Sequence, residues 1–314
     1  TSSWTASPWD FVRLEMKLEE LPHLPKLSLA PQLRALNFTG NLLTELGALQ
    51  HCALLEELVL DQNRLTSLRG VAHLRRLVVL RAGRNDISDA EDLRALQSLR
   101  LVDLSVNQLT EVHLTAPGLA RLLVPKNRLR STAFLAHLPS LTELHMGENQ
   151  LAALDPRVSE WCPLLLRMFL WRNRLSSLPE LRLPLLTELV VDNNQLEALG
   201  PLGYLPSLER LSANYNQIQR LGGPIAASPL LAELNLAFNQ LGPAEAATAA
   251  APYARLRKLQ LNDNPACAEL LNHFRPWALL SAPQLCELDN LEVLGAERLE
   301  AIAARGAADP FLPH

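Results

Sequence analysis

Asparagine recurs through this 314-residue chain at positions 41, 63, 85, 107, 127, 149, 173, 194, 216, 239 and 264, at intervals of 22, 22, 22, 20, 22, 24, 21, 22, 23 and 25 residues. Apolar residues surround each one at fixed offsets. In the clearest copy Leu55, Leu58 and Leu60 precede Asn63, and Leu65 and Leu68 follow it. The same spacing links Leu165, Met168, Leu170, Asn173, Leu175 and Leu178. A unit this short cannot enclose its own leucines, so each copy is buried only by stacking on its neighbours. Eleven registers exclude coincidence and demand a solenoid with a long, thin core.

The spacing also fixes the local conformation. Leu58 and Leu60 are two apart, so on an extended strand they point to one side while Glu57, Val59 and Asp61 point to the other. The strands are short and parallel. Each asparagine falls where the chain leaves its strand, and its amide offers an acceptor and two donors to backbone groups that the turn leaves unpaired. Its role is structural rather than ligand-binding.

Along the chain, residues 1–32 lack the full pattern, but Val12, Leu14 and Met16 alternate with Arg13, Glu15 and Lys17 as a half-buried strand does. This degenerate unit closes the N-terminal end of the sheet, and its charged face suits an edge that must not pair with another chain. Four nearly regular units run from Leu33 to Val112, with Phe38 and Ala82 in place of leucine at the second strand position. The fifth is short and carries Pro125, and Arg157 to Pro163 lengthen the return loop of the sixth. Gly242-Pro243 and the alanine run to Ala251 predict a helix. The other return segments, short and proline-rich, predict extended or 3₁₀ structure. Beyond Asn264, Ala266 to Phe274 predicts a helix, Pro276 restarts it, Leu285 and Leu288 supply a last strand-like pair, and Gly295 to Arg305 predicts a final helix. Residues 265–305 thus cap the repeats of 33–264, and 306–314 read as a loose tail.

Hydrophobic residues make up 48% and charged residues 20%, with a net charge of −4, which indicates neither disorder nor nucleic-acid attraction. No apolar run approaches the ~20 residues that a bilayer span needs. The chain opens on Thr1 without a charged-then-apolar signal segment, so the expectation is a processed fragment. Cys52, Cys162, Cys267 and Cys286 are dispersed singly, as free thiols in a reducing compartment are. The sequon Asn37-Phe38-Thr39 reads as accidental, because Phe38 takes a core position.

The 22-residue unit, with the terminal series Asn264-Pro265, His273-Phe274-Arg275, Ala282-Pro283-Gln284-Leu285, Leu288-Asp289 and Glu297-Arg298, resembles the SDS22-like class of leucine-rich repeats and its C-terminal cap. The resemblance spans roughly residues 33–305. It implies an α/β fold, a right-handed curved solenoid with a parallel β-sheet on its concave face and short 3₁₀ or extended segments on its convex face. It also implies an intracellular protein-interaction module, among whose members are a protein phosphatase 1 regulator and many axonemal, centrosomal and dynein-assembly proteins.

The outward strand residues would form the face on which such solenoids bind. The position before the second strand leucine reads Arg121, Glu143, Arg167, Glu188, Arg210, Glu233 and Lys258, alternating in sign, so opposite charges face one another across neighbouring strands about 4.8 Å apart. Phe169 and Trp171 point away from the leucine core on one strand. With Val190, His145, Arg167 and Arg172 around them, they are the candidate partner-binding centre, because large aromatics and arginine dominate hot spots. Tyr215 and Phe238, each one before an asparagine, are weaker candidates. Arg64, Arg81, Arg84, Arg121, Lys126 and Arg128 outline a basic arc to which an acidic segment such as a tubulin tail could be drawn.

No glycine-rich phosphate loop, zinc-spaced cysteine pair or His-Glu-x-x-His occurs. His51, His73 and His137 recur with the repeat, and no catalytic constellation, metal site or cofactor site emerges. The expectation is a non-enzymatic scaffold, cytoplasmic, in a ciliary, axonemal or cytoskeletal assembly. The alternative is a regulatory subunit of a protein phosphatase.

Overall fold

The computed structural model describes residues 12–200, 205–221, 228–250, 253–270 and 273–306. The chain forms two compact units, residues 1–150 with 160–164 and residues 151–159 with 165–314. In the first, strands β1 (Arg13–Glu15), β2 (Ala35–Asn37), β3 (Glu57–Val59), β4 (Val79–Arg81), β5 (Leu101–Asp103), β6 (Arg121–Leu123) and β7 (Glu143–His145) follow one another. Each pairs in parallel with the next. In the second, β8 (Arg167–Phe169), β9 (Glu188–Val190), β10 (Arg210–Ser212), β11 (Glu233–Asn235) and β12 (Lys258–Gln260) do the same. Two short strands end that sheet: β13 (Glu287–Leu288), parallel to β12, and β14 (Leu291–Glu292), antiparallel to β13.

Equivalent residues stand side by side in register. Leu36, Leu58, Leu80, Val102, Leu122 and Leu144 form one inward column, and Met168, Leu189, Leu211, Leu234 and Leu259 form its counterpart in the second unit. All are closed to solvent, as are Phe38 and Ala82. Each unit is thus the leucine-rich-repeat solenoid that the spacing demands, and a buried Phe38 agrees with reading the Asn37 sequon as accidental.

The asparagines join successive turns. Asn127 Oδ1 accepts the Leu109 N–H at 3.0 Å, while its Nδ2 donates to the Leu104 carbonyl of the preceding repeat at 2.9 Å and the Val124 carbonyl of its own at 3.1 Å. Leu104 O also accepts from Asn107 at 3.0 Å, and Val124 O from Asn149 at 2.9 Å. Each such carbonyl therefore serves two asparagines, its own and the next. Asn194 and Asn264 repeat the geometry in the second unit. At the other end Asn41 reaches the Met16 carbonyl and the Leu21 N–H, so the segment around β1 is a repeat in hydrogen bonding even where its leucines have lapsed.

The sharp exit from each strand has a conformational cost that the sequence hides. The residue before each asparagine sits in the left-handed region: Gly40, then Gln62, Arg84, Val106, Lys126 and Glu148, then Arg172, Asn193, Tyr215, Phe238 and Asp263, all with φ between 50° and 71°. Only the first is glycine. For an L side chain the conformation costs about 1 kcal/mol, and β-branched Val106 is the least suited.

Return segments on the other side are 3₁₀ turns at Gly47–His51, Glu91–Ala95 and Ala133–His137, as expected. The lengthened loop after Asp155 contains a short helix, α1 (Val158–Trp161), that the sequence did not suggest. Helix α2 (Pro243–Ala250) realises the alanine run, with Ala246 and Ala249 buried; Ala251 lies outside the described residues. After β12, α3 (Pro265–Leu270) precedes α4 (Phe274–Ser281), and α5 (Gly295–Gly306) is the last helix among the described residues. A helix restarts around Pro276 as expected: the proline lies in the first turn of α4, where its missing N–H costs nothing. Arg275 Nε and Nη2 hold Glu297 at 2.9 and 3.0 Å, and Arg275 also donates to the carbonyls of Leu288 and Glu292. Arg298 donates to the carbonyls of Pro283 and Leu285. Segments 1–11 and 307–314 lie outside the described residues, as do 271–272 of the expected helix over 266–274.

Two stability measurements check this account. Asn127→Ala should cost about 2 kcal/mol or more in urea denaturation, since Leu109 N–H loses its partner and three carbonyls lose one of theirs. Val106→Asn should gain about 0.5–1 kcal/mol, because asparagine tolerates the left-handed region and Asn193 already fills this repeat position at φ 53°.

Candidate partner-binding faces

Alternation puts Phe169 and Trp171 on the outward face of the second unit. Met168 and Leu170 are fully buried, while Phe169 and Trp171 are half-buried. Phe169 stands in register with half-buried Val190 on β9. Arg172, forced outward by its left-handed backbone, carries its guanidinium 5.9 Å from the Trp171 ring centroid, within cation–π range. Exposed Arg167 is in register with Glu188.

Tyr215 and Phe238 occupy the left-handed position on successive repeats, and that shared geometry brings their rings together. The centroids are 4.2 Å apart with 8° between the planes, and the residues remain 50% and 38% exposed. They pack on each other rather than into a loop. On β11 the buried Asn235 Oδ1 is an acceptor without a donor among the described residues. His145 belongs to the first unit and is engaged at home: its Nε2 lies 2.7 Å from Oε1 of buried Glu143, whose Oε2 takes Arg121 Nε at 3.1 Å.

The alternating charges form ion pairs as their sequence suggests. Arg210 bridges Glu188 at 3.3 Å and Glu233 at 2.9 Å, and Lys258 pairs with Glu287, one strand beyond the alternating series, at 2.9 Å. The basic arc is exposed, and it divides in two. Arg121 pairs with Glu143 and Lys126 with Glu148, whereas Arg64, Arg81, Arg84 and Arg128 have no ion pair within 4 Å among the described residues.

One set of face residues has a backbone role that the sequence concealed. Two positions before the asparagine, the N–H turns to a side chain for its partner. Asp61 Oδ1 accepts from Gly83 at 2.7 Å, Asp103 Oδ1 from Ser105 at 2.9 Å, Asp192 Oδ1 from Asn214 at 2.7 Å, and Asn214 Oδ1 from Ala237 at 2.8 Å. Pro125 stands at the same repeat position and has no N–H to satisfy. Burial pushes the Asp61 and Asp192 carboxyls above the usual carboxylate range, although the hydrogen bonds oppose the shift.

All four cysteines are unpaired, and burial raises the thiols of Cys52 and Cys162 to about 11 and about 12. Among the described residues no group of three or more His, Cys, Asp or Glu side chains is placed to hold a metal ion. No helix there is long and apolar enough to cross a membrane.

Among curated proteins, the chain is 30% identical over 260 residues to bovine leucine-rich repeat-containing protein 23, covering 82% of this chain and 69% of that protein. It is 31% identical over 259 residues to human podocan-like protein 1, covering 80% of this chain and 42% of the relative. It therefore spans less than half the length of the latter. Among solved structures, a Listeria monocytogenes internalin superposes with a TM-score of 0.73 at 21% identity, covering 90% of this chain and 87% of that one. No family model matches the chain.

Asp192 offers a test of the capping role. Its folded-state pKa lies above the unfolded value, so the fold penalises its ionised form; that relative stability is complete below the unfolded pKa and is lost as pH rises through the folded one. Asp192→Asn, which keeps the acceptor without the charge, should equal or exceed the parent in stability at neutral pH. Its advantage should shrink on acidification. Asp192→Ala, which orphans the Asn214 N–H, should lose about 1–3 kcal/mol.

Proposed function

We propose that this chain, which belongs to the leucine-rich-repeat protein family, is a non-enzymatic scaffold that grips a protein partner on the sheet face of its second unit, centred on Phe169 and Trp171. Leucine-rich-repeat proteins mediate protein–protein interaction through extended surfaces of this kind. The observation that carries the reading is the outward pair itself: two large aromatics on a face that alternation keeps clear of the core, beside Val190 and under the Arg172 guanidinium. Aromatic rings and arginine are the groups whose desolvation contributes most to protein interfaces. The stacked Tyr215–Phe238 pair and the unsatisfied Asn235 acceptor extend the candidate surface across β10 and β11.

At a finer level, the resemblance to SDS22-like repeats favours an intracellular role in a ciliary, axonemal or cytoskeletal assembly. Four unpaired thiols support a reducing compartment. A phosphatase-regulatory role has less support, since Asp103 and Asp192, the face carboxylates such a reading draws on, already accept backbone N–H groups.

Affinity capture of partners with the full chain, followed by titration of the recovered partner, tests the site. Trp171→Ala should weaken binding by about 2 kcal/mol or more with almost no loss of stability. A variant that melts several degrees lower and binds normally would assign Trp171 to the fold instead. Recovery of axonemal or cytoskeletal proteins supports the assembly role; recovery of a phosphatase catalytic subunit replaces it with the regulatory one.

A further inference from the structure

The sheet face of the first unit carries a second surface of different chemistry. On β3 to β6 the outward positions include half-buried Val79, Leu101 and Leu123, flanked by buried Val59, so the polar alternation seen in the second unit lapses into an apolar island. Val79 and Leu101 are in register, and Arg81 stands in register between Val59 and Asp103. In the turn beside the island the left-handed positions hold Arg84, Val106 and Lys126.

Two observations separate this surface from an ordinary solvated face. The first concerns charge. In the second unit Arg210 is clamped between two glutamates, and Lys258 is paired. Here Arg81 and Arg84 have no ion pair among the described residues, although carboxylates are close by. Asp61 and Asp103 spend Oδ1 on the N–H groups of Gly83 and Ser105, and Glu57 is drawn to Arg13 at 2.8 Å. The second concerns Val106, a β-branched residue at φ 56° that remains 37% exposed. The left-handed backbone is common to the repeats, and here it presents an apolar, partly exposed side chain beside the island.

We infer that the outward face of β3–β6 is a docking site for an acidic peptide segment bearing apolar side chains, with carboxylates on Arg81 and Arg84 and apolar groups against Val79, Leu101, Leu123 and Val106. Arginine forks suit carboxylates, and Arg81 and Arg84, which feel the field of Asp61 but form no ion pair with it among the described residues, need not break one to bind them. A basic segment would meet uncompensated like charge, and a purely acidic one would leave the island wet. This surface is independent of Phe169 and Trp171.

Panning a random dodecapeptide library against the full chain, then titrating the enriched peptide by fluorescence anisotropy, tests the site. Enrichment of sequences that combine Asp or Glu with Leu, Val or Phe is expected. The R81E/R84E double variant should lose about tenfold or more in affinity, with R81K/R84K between it and the parent. Trp171→Ala should leave the peptide unaffected. Val106→Asn should bind several-fold more weakly while melting higher, a split that a purely structural role would not produce. Enrichment of basic or uncharged peptides, no enrichment at all, or equal binding by R81E/R84E would each overturn the inference.

Discussion

Everything in this fold rests on the amide of one asparagine per turn. A parallel strand three residues long satisfies few of its own backbone groups, and the chain must leave it abruptly to keep the repeat near 22 residues. The asparagine closes that deficit by reaching one repeat back. Because Leu104 O and Val124 O each accept from two asparagines, the hydrogen bonds form a ladder rather than isolated clamps. Leucine burial supplies most of the free energy, but it is non-directional and would tolerate slipped stacking. The asparagine amide specifies which residue of one turn lies against which residue of the next.

That ladder dictates what the surface can display. Keeping the amide in place requires the preceding residue to be left-handed, and such a residue has to direct its side chain outward. Arg84, Lys126, Arg172, Tyr215 and Phe238 are therefore presented by a backbone constraint and not by local propensity. The stacked pair follows: two aromatics at equivalent positions on adjacent repeats are brought within ring-stacking distance by the repeat itself. Two residues before the asparagine, the N–H can be met by the carboxylate of Asp61, Asp103 or Asp192, by the Asn214 amide, or avoided with Pro125. Residue choices that look arbitrary along the chain are alternative solutions to one local deficit.

How much of this was legible in advance depended on whether the determinant was periodic. Strand positions, the burial of Leu58, Leu144 and Leu234, the outward direction of Phe169 and Trp171, and the pairing of Arg210 with its glutamates all follow from a period of two inside a period near 22. The left-handed column was not legible, because its occupants share no residue type beyond an initial Gly40. Nor was the commitment of Asp192 to a backbone N–H, since an aspartate on an outward position reads the same whether it faces water or the next turn. The restart of a helix at Pro276 was legible too, because a proline that would break a helix in its middle is harmless in its first turn. The Val79–Leu101 island is not periodic: the charge alternation holds from Arg121 onward and is absent before it, so no repeat position announces the island.

The two faces therefore differ in availability more than in charge. Arg210 is half exposed, and its pairs with Glu188 and Glu233 each contribute at most about 1 kcal/mol to stability. Their larger effect is on recognition. A partner carboxylate that engaged Arg210 would have to displace two others, so the gain on binding is offset by what is broken. Arg81 and Arg84 feel the field of Asp61 but have no ion pair to break among the described residues. One fold can thus be given different partners by altering the neighbours of a charge while the charge itself stays, because an arginine contributes to binding in proportion to what it does not already hold.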